Sequence, residues 1–146
     1  MAVSIALGLI AGFVAVLIMT LLMAPMMKKG PGVSQFMAAR LSKGQPTDKG
    51  SMMGGMLLHL AYGTGMGGVY AIGSSALSLV IISHIVNGLL FGVLLFIIAV
   101  LVVTPLSKAP MKEMPKSMMG AFLALHLVYG LVLGAVIVWL SGATAF

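Results

Sequence analysis

No cysteine occurs in these 146 residues, which removes disulfides, thiolate metal sites, iron–sulfur clusters and cysteine nucleophiles together. Acid is almost as scarce, Asp48 and Glu113 being the only carboxylates. Each stands alone in a basic loop, so the chain offers no carboxylate pair and no serine, histidine and acid set for acid–base or nucleophilic work. No glycine-rich phosphate loop opens onto a helix. A catalytic role is therefore not expected. Charged residues of both signs make up only 7% of the chain, against about 25% in a soluble domain.

What fills the space is hydrocarbon: 61% of residues are hydrophobic and the mean hydropathy is +1.21. The expected solvent is the lipid bilayer. Apolar runs cover roughly Ala2–Ala24, Met52–Ile72, Leu77–Val103 and Met118–Leu140, each long enough at 1.5 Å per residue to cross about 30 Å of hydrocarbon. The fold class is thus all-α, a polytopic membrane protein of four transmembrane helices in one domain, 1–146. Met1–Ser4 carries no basic segment of the kind that opens a signal peptide, and the first run is expected to be a retained span.

All ten charges fall between the first two spans or between the last two. The first loop holds Lys28, Lys29, Arg40, Lys43, Lys49 and Asp48; the second holds Lys108, Lys112, Lys116 and Glu113. In a soluble protein the net charge of +6 would suggest nucleic acid; here the positive-inside bias puts both loops in the cytoplasm and both termini outside. The uncharged stretch Gly73–Ser78 reads as the outer turn. Within the first loop, Val33, Phe36, Met37, Arg40 and Leu41 share one helical face between Gly30-Pro31-Gly32 and Gly44-Gln45-Pro46, the pattern of a short helix lying in the headgroups or of an ordered turn.

Segments recur. Ser51-Met52-Met53-Gly54 returns as Ser117-Met118-Met119-Gly120, and His59-Leu60-Ala61-Tyr62-Gly63 as His126-Leu127-Val128-Tyr129-Gly130. Gly8, Gly12 and Pro25 align with Gly88, Gly92 and Pro105 at one constant spacing. Residues 1–72 and 73–146 thus read as a tandem repeat of two helical hairpins. Each contains an even number of spans, so the copies run parallel, related by an axis along the membrane normal. The HLxYGxxxG cores within Gly55–Gly67 and Ala121–Gly134 resemble those of small bacterial and archaeal membrane proteins made of paired glycine-rich helices. That resemblance implies the same two-hairpin fold and brings no activity with it.

Each apolar run carries a GxxxG: Gly8/Gly12, Gly63/Gly67, Gly88/Gly92 and Gly130/Gly134. Small residues four apart let helix backbones approach closely where lipid supplies no hydrophobic drive, so a packed seam is expected, inside the bundle or against another subunit. Four residues before each first glycine stands Ser4, His59, His84 or His126, expected on the same stripe. His59 and His126 fall roughly 12–14 Å from the cytoplasmic helix starts. Ionisable groups at that depth ordinarily have a partner and a function. One reading makes them interhelical hydrogen-bond partners. Another makes them axial ligands of a b-type haem, since imidazole pairs suit electron transfer; proton relay and metal binding complete the set. Methionines crowd the loop ends, notably Met52/Met53/Met56 and Met111/Met114, as soft ligands for copper would or as adaptable apolar filler.

Three functions follow from these features. The leading one is a non-catalytic integral membrane subunit of a larger complex, of energy-transducing or oxidase/monooxygenase type, with other integral membrane subunits as partners and no nucleic acid. The others are a haem-carrying electron-transfer subunit and a small pore or carrier.

Overall fold

The computed structural model describes residues 3–27, 30–76, 83–109 and 116–142. Among them the regular structure is entirely helical: α1 (Ile5–Met27), α2 (Val33–Ser42), α3 (Lys49–Ala76), α4 (His84–Ile98), a π-helical turn (Ala99–Val103), α5 (Thr104–Ser107) and α6 (Lys116–Ser141). α4, the π-turn and α5 form one continuous rod. α6 stops where Gly142 takes φ +63°, the left-handed backbone that ends a helix most cheaply at glycine.

Among the described residues three helices are long and apolar enough to cross a membrane: Ile5–Pro25, His84–Ser107 and Met118–Ser141. α3, expected as a fourth span, has the length, 28 residues or about 42 Å, but not the apolarity. Eight glycines, three serines and a threonine dilute its leucine and methionine. α3 also runs further than the sequence implies: Gly73-Ser74-Ser75 belongs to the helix, not to a turn. Ser74 Oγ donates to its own Ala71 carbonyl and Ser75 Oγ to the Val3 carbonyl, each at 3.1 Å, which ties this end of α3 to the start of α1. Residues 77–82 lie outside the described ones.

α1 packs on α3, α4 on α6, and α1 on α6. Within each of the pairs α1–α3 and α4–α6 the helices meet along a glycine seam. A Cβ built on Gly12 would stand 2.9 Å from the Gly63 carbonyl oxygen and 2.9 Å from Gly67 Cα, and Gly8 meets the Gly67 carbonyl more closely still. In the second pair, Gly88 meets Gly130, Gly92 meets the His126 carbonyl and Gly134 meets the His84 carbonyl. Extending the sequence match would set Gly88 against Gly134, as Gly8 is set against Gly67. The second seam is instead slid by one helical turn, and the slide lays His126, but not His59, along its own glycine seam.

The central core lies where α1 and α6 cross, among Ala11, Ala15, Val16 and Met19 on one side and Leu125, Tyr129, Leu133 and Ile137 on the other. Alanines on α1 let the bulky side chains of α6 seat against its backbone. Outward faces are apolar as well, with Leu21, Leu57, Leu101 and Trp139 well exposed, the inverse of a soluble surface.

The short helix expected in the first loop forms, but its buried face differs from the expected one. Gln35, Ala38 and Ala39 pack inward while Leu41 is 70% exposed. Gly55 of α3 makes the fit: a Cβ there would stand 2.7 Å from the Gln35 backbone nitrogen. α2 therefore rests on protein, chiefly α3, and touches α5.

Candidate functional site

His59 and His126 come together as walls of one half-open cavity of about 290 Å3. Every long helix contributes. α1 supplies Val16, Met19 and Met23, the α4 rod supplies Leu95, Ala99 and Val103, and Tyr62 and Tyr129 stand beside the histidines one turn along α3 and α6. The N-terminal part of α2, from Gly32 through Met37, closes one side. The walls are almost wholly carbon.

The small side chain of Ala99 and the π-turn it opens account for part of the space. Pro105 has no N–H and its ring would strike the carbonyl one turn back, so the preceding turn widens. The Thr104 N–H then reaches the Ala99 carbonyl, which also accepts from Thr104 Oγ1 at 2.7 Å. Leu95, Ala99 and Val103, four residues apart, all face the cavity along this rod. Pro25, the matching proline of α1, leaves α1 an ordinary α-helix, and bulkier Met19 and Met23 face the cavity there.

Two polar groups of these walls, on Tyr129 and His126, are turned to the protein's own backbone. Tyr129 Oη donates to the Gly63 carbonyl at 2.6 Å and bridges the two helix pairs. His126 Nδ1 stands 2.8 Å from the Phe122 carbonyl; a carbonyl only accepts, so Nδ1 carries the proton and Nε2 keeps its lone pair. The imidazole is clamped by edge contacts with Phe122 at 4.6 Å and Phe96 at 6.0 Å. His59 is held differently, its Nε2 buried without a partner. One turn earlier on α3, Gly55 carries Gln35, whose Oε1 accepts from the Gly32 N–H at 3.0 Å while its Nε2 is likewise buried and unpartnered.

These facts separate the expected site residues. The shared stripe breaks at both outer members: Ser4 is exposed and caps α1, its Oγ accepting from the Leu7 N–H at 3.1 Å. His84 is buried at the first turn of α4, away from the cavity, 3.4 Å from Tyr70 Oη, which donates to the His84 carbonyl at 3.3 Å. All eight seam glycines are used, each against its own hairpin partner. His59 Nε2 is buried away from solvent, so that nitrogen is not the one a haem between His59 and His126 would take as its ligand. Met53 and Met56 are exposed on α3, and Met52, Met53 and Met56 are not among the residues lining the cavity; Met111 and Met114 lie outside the described residues. The methionines of the site are Met19, Met23 and Met37. The sequence offered no signal for the part played by α2 or the π-turn beyond the prolines and glycines that flank them.

No family model, no curated protein and no solved structure matches this chain.

Proposed function

We propose that the chain is a non-catalytic membrane protein of two parallel, glycine-seamed hairpins that binds one small, largely apolar molecule in the cavity between them. The cavity carries this reading. Four long helices and α2 surround about 290 Å3 of space walled by carbon, and the tyrosine and histidine beside it, Tyr129 and His126, spend hydrogen bonds on backbone carbonyls. A space so lined rewards an apolar guest and gives water few partners.

In the full proposal α3 is the fourth span, drawn across the bilayer by its seam with α1. The recurring SMMG and HLxYG segments support descent of 1–72 and 73–146 from one hairpin. Both basic loops are then cytoplasmic, both termini are outside, and the chain is a multi-pass protein of the cytoplasmic membrane. A scaffold subunit would keep its GxxxG faces for neighbours; here all eight glycines serve inside the hairpins, so they no longer argue for that role.

The test is native mass spectrometry of protein released from mild detergent, comparing wild type with Ala99→Phe, which fills the cavity, and Val103→Phe as a second filling variant. Wild type is expected to carry a one-to-one small-molecule adduct that both variants lose while keeping their helical circular dichroism and melting temperature. An adduct retained equally by folded variants would contradict the site.

A further inference from the structure

We propose that the occupant of the cavity is the acyl chain of an anionic membrane lipid, with its headgroup held by Arg40, Lys43 and Lys108 beside the α2 end of the cavity; this rests on the binding reading above. Two sets of observations meet here. The cavity wall is carbon nearly throughout, which suits a hydrocarbon chain and does not suit a guest whose own carbonyls or hydroxyls need partners. The second set is the basic ground next to it. Met37 of α2 and Val103 of the π-turn line the cavity, and one turn beyond each, on the same helical sides, come Arg40 and Leu106. Arg40 Nη1 donates to the Leu106 carbonyl, so the guanidinium stands where the two short helices meet, with most of its five N–H groups left for another acceptor.

α2 and α5 then end alike. Lys43 has φ +56° and Lys108 φ +57°, each as the left-handed cap of its helix. Glycine is the usual residue for that conformation, and a side chain there is strained. Both caps carry an exposed ammonium instead. Arg40, Lys43 and Lys108 thus sit on one packed pair of helices, while Asp48, the carboxylate in the described part of these loops, is tied to the Gln45 N–H at 2.8 Å. A phosphate attached to a hydrocarbon chain complements both features at once. The chain enters beside Met37 and Val103, and the phosphate stays with the cations at an aqueous boundary.

The experiment titrates delipidated full-length protein, followed by native mass spectrometry, with dioleoyl phosphatidylglycerol, with dioleoyl phosphatidylcholine of the same chains, and with inorganic phosphate. Wild type is expected to bind the anionic lipid at least tenfold more tightly than the zwitterionic one. Lys43→Gln with Lys108→Gln, which leaves the Arg40 tie in place, is expected to remove roughly fivefold per base, and Ala99→Phe to abolish both adducts. Equal binding of the two lipids by wild type, with both lost in Ala99→Phe, overturns the anionic-lipid assignment and leaves the cavity as a site for neutral apolar molecules. Anionic lipid bound undiminished by Ala99→Phe overturns the cavity as its seat, and with it the binding reading. Binding of inorganic phosphate alone, or its displacement of the lipid at millimolar concentration, overturns the requirement for a chain.

Discussion

A single methyl group distinguishes the glycines that build this protein from those that merely occur in it. Gly12 has the Gly63 carbonyl and Gly67 Cα at 2.9 Å from where its Cβ would lie, whereas Gly65, two residues from either seam glycine of α3, has nothing within 4 Å. Gly12→Ala must push α1 and α3 apart, at a cost of about 1–3 kcal/mol. Gly65→Ala removes only the conformational freedom of glycine and is expected to be neutral or stabilising by up to about 1 kcal/mol. Thermal unfolding in one detergent, read by circular dichroism, compares the two. This contrast was half legible beforehand: the four-residue spacing picks out Gly8, Gly12, Gly63 and Gly67, but it cannot say which surface each glycine meets. The same holds for Tyr62 and Tyr129, which occupy the same place in the recurring HLxYG segment. Only Tyr129 reaches across to a carbonyl, that of Gly63, while Tyr62 is 40% exposed, because the seams of the two hairpins differ by a turn and such a slide leaves no mark in either segment.

At the scale of elements the proline rod and α2 shape the cavity. Hydropathy marks the apolar runs from His84 to Ser107 and from Ile5 to Pro25 clearly, since lipid demands continuous hydrocarbon. It cannot mark the π-turn, which arises from Pro105 and is accommodated by the double acceptance at the Ala99 carbonyl. Pro25 shows that proline alone is not enough. Restoring the missing N–H by Pro105→Ala is expected to let residues 99–103 tighten to an ordinary α-helix, shifting Val103 against Ala99 on the cavity wall. Amide exchange at 101–105 should then slow while the small-molecule adduct is lost; an unchanged adduct with slowed exchange would mean that the π-turn does not shape the site. For α2, helical spacing foretold the element but not its contacts. Its apolar residues suit a membrane surface, yet the small Ala38 and Ala39 and the bare backbone at Gly54 and Gly55 permit a closer fit to α3 than headgroups would give.

The molecule as a whole is legible as helical and membrane-bound from composition alone, because no soluble fold exposes Leu21, Leu57, Leu101 and Trp139 together. The number of crossings is not, since α3 buys its close packing with glycine and forfeits apolarity in doing so. Everything proposed for the cavity depends on that helix, for only a crossing α3 sets both basic loops, and the α2–α5 cation cluster, on one membrane face. With no cysteine in the chain, single-cysteine variants Lys43→Cys and Lys108→Cys can be probed with a membrane-impermeant maleimide in sealed, oriented vesicles. Four crossings predict that both positions label from the cytoplasmic side and are protected from the other. Labelling of Lys43→Cys and Lys108→Cys from opposite sides would leave three crossings and contradict the account.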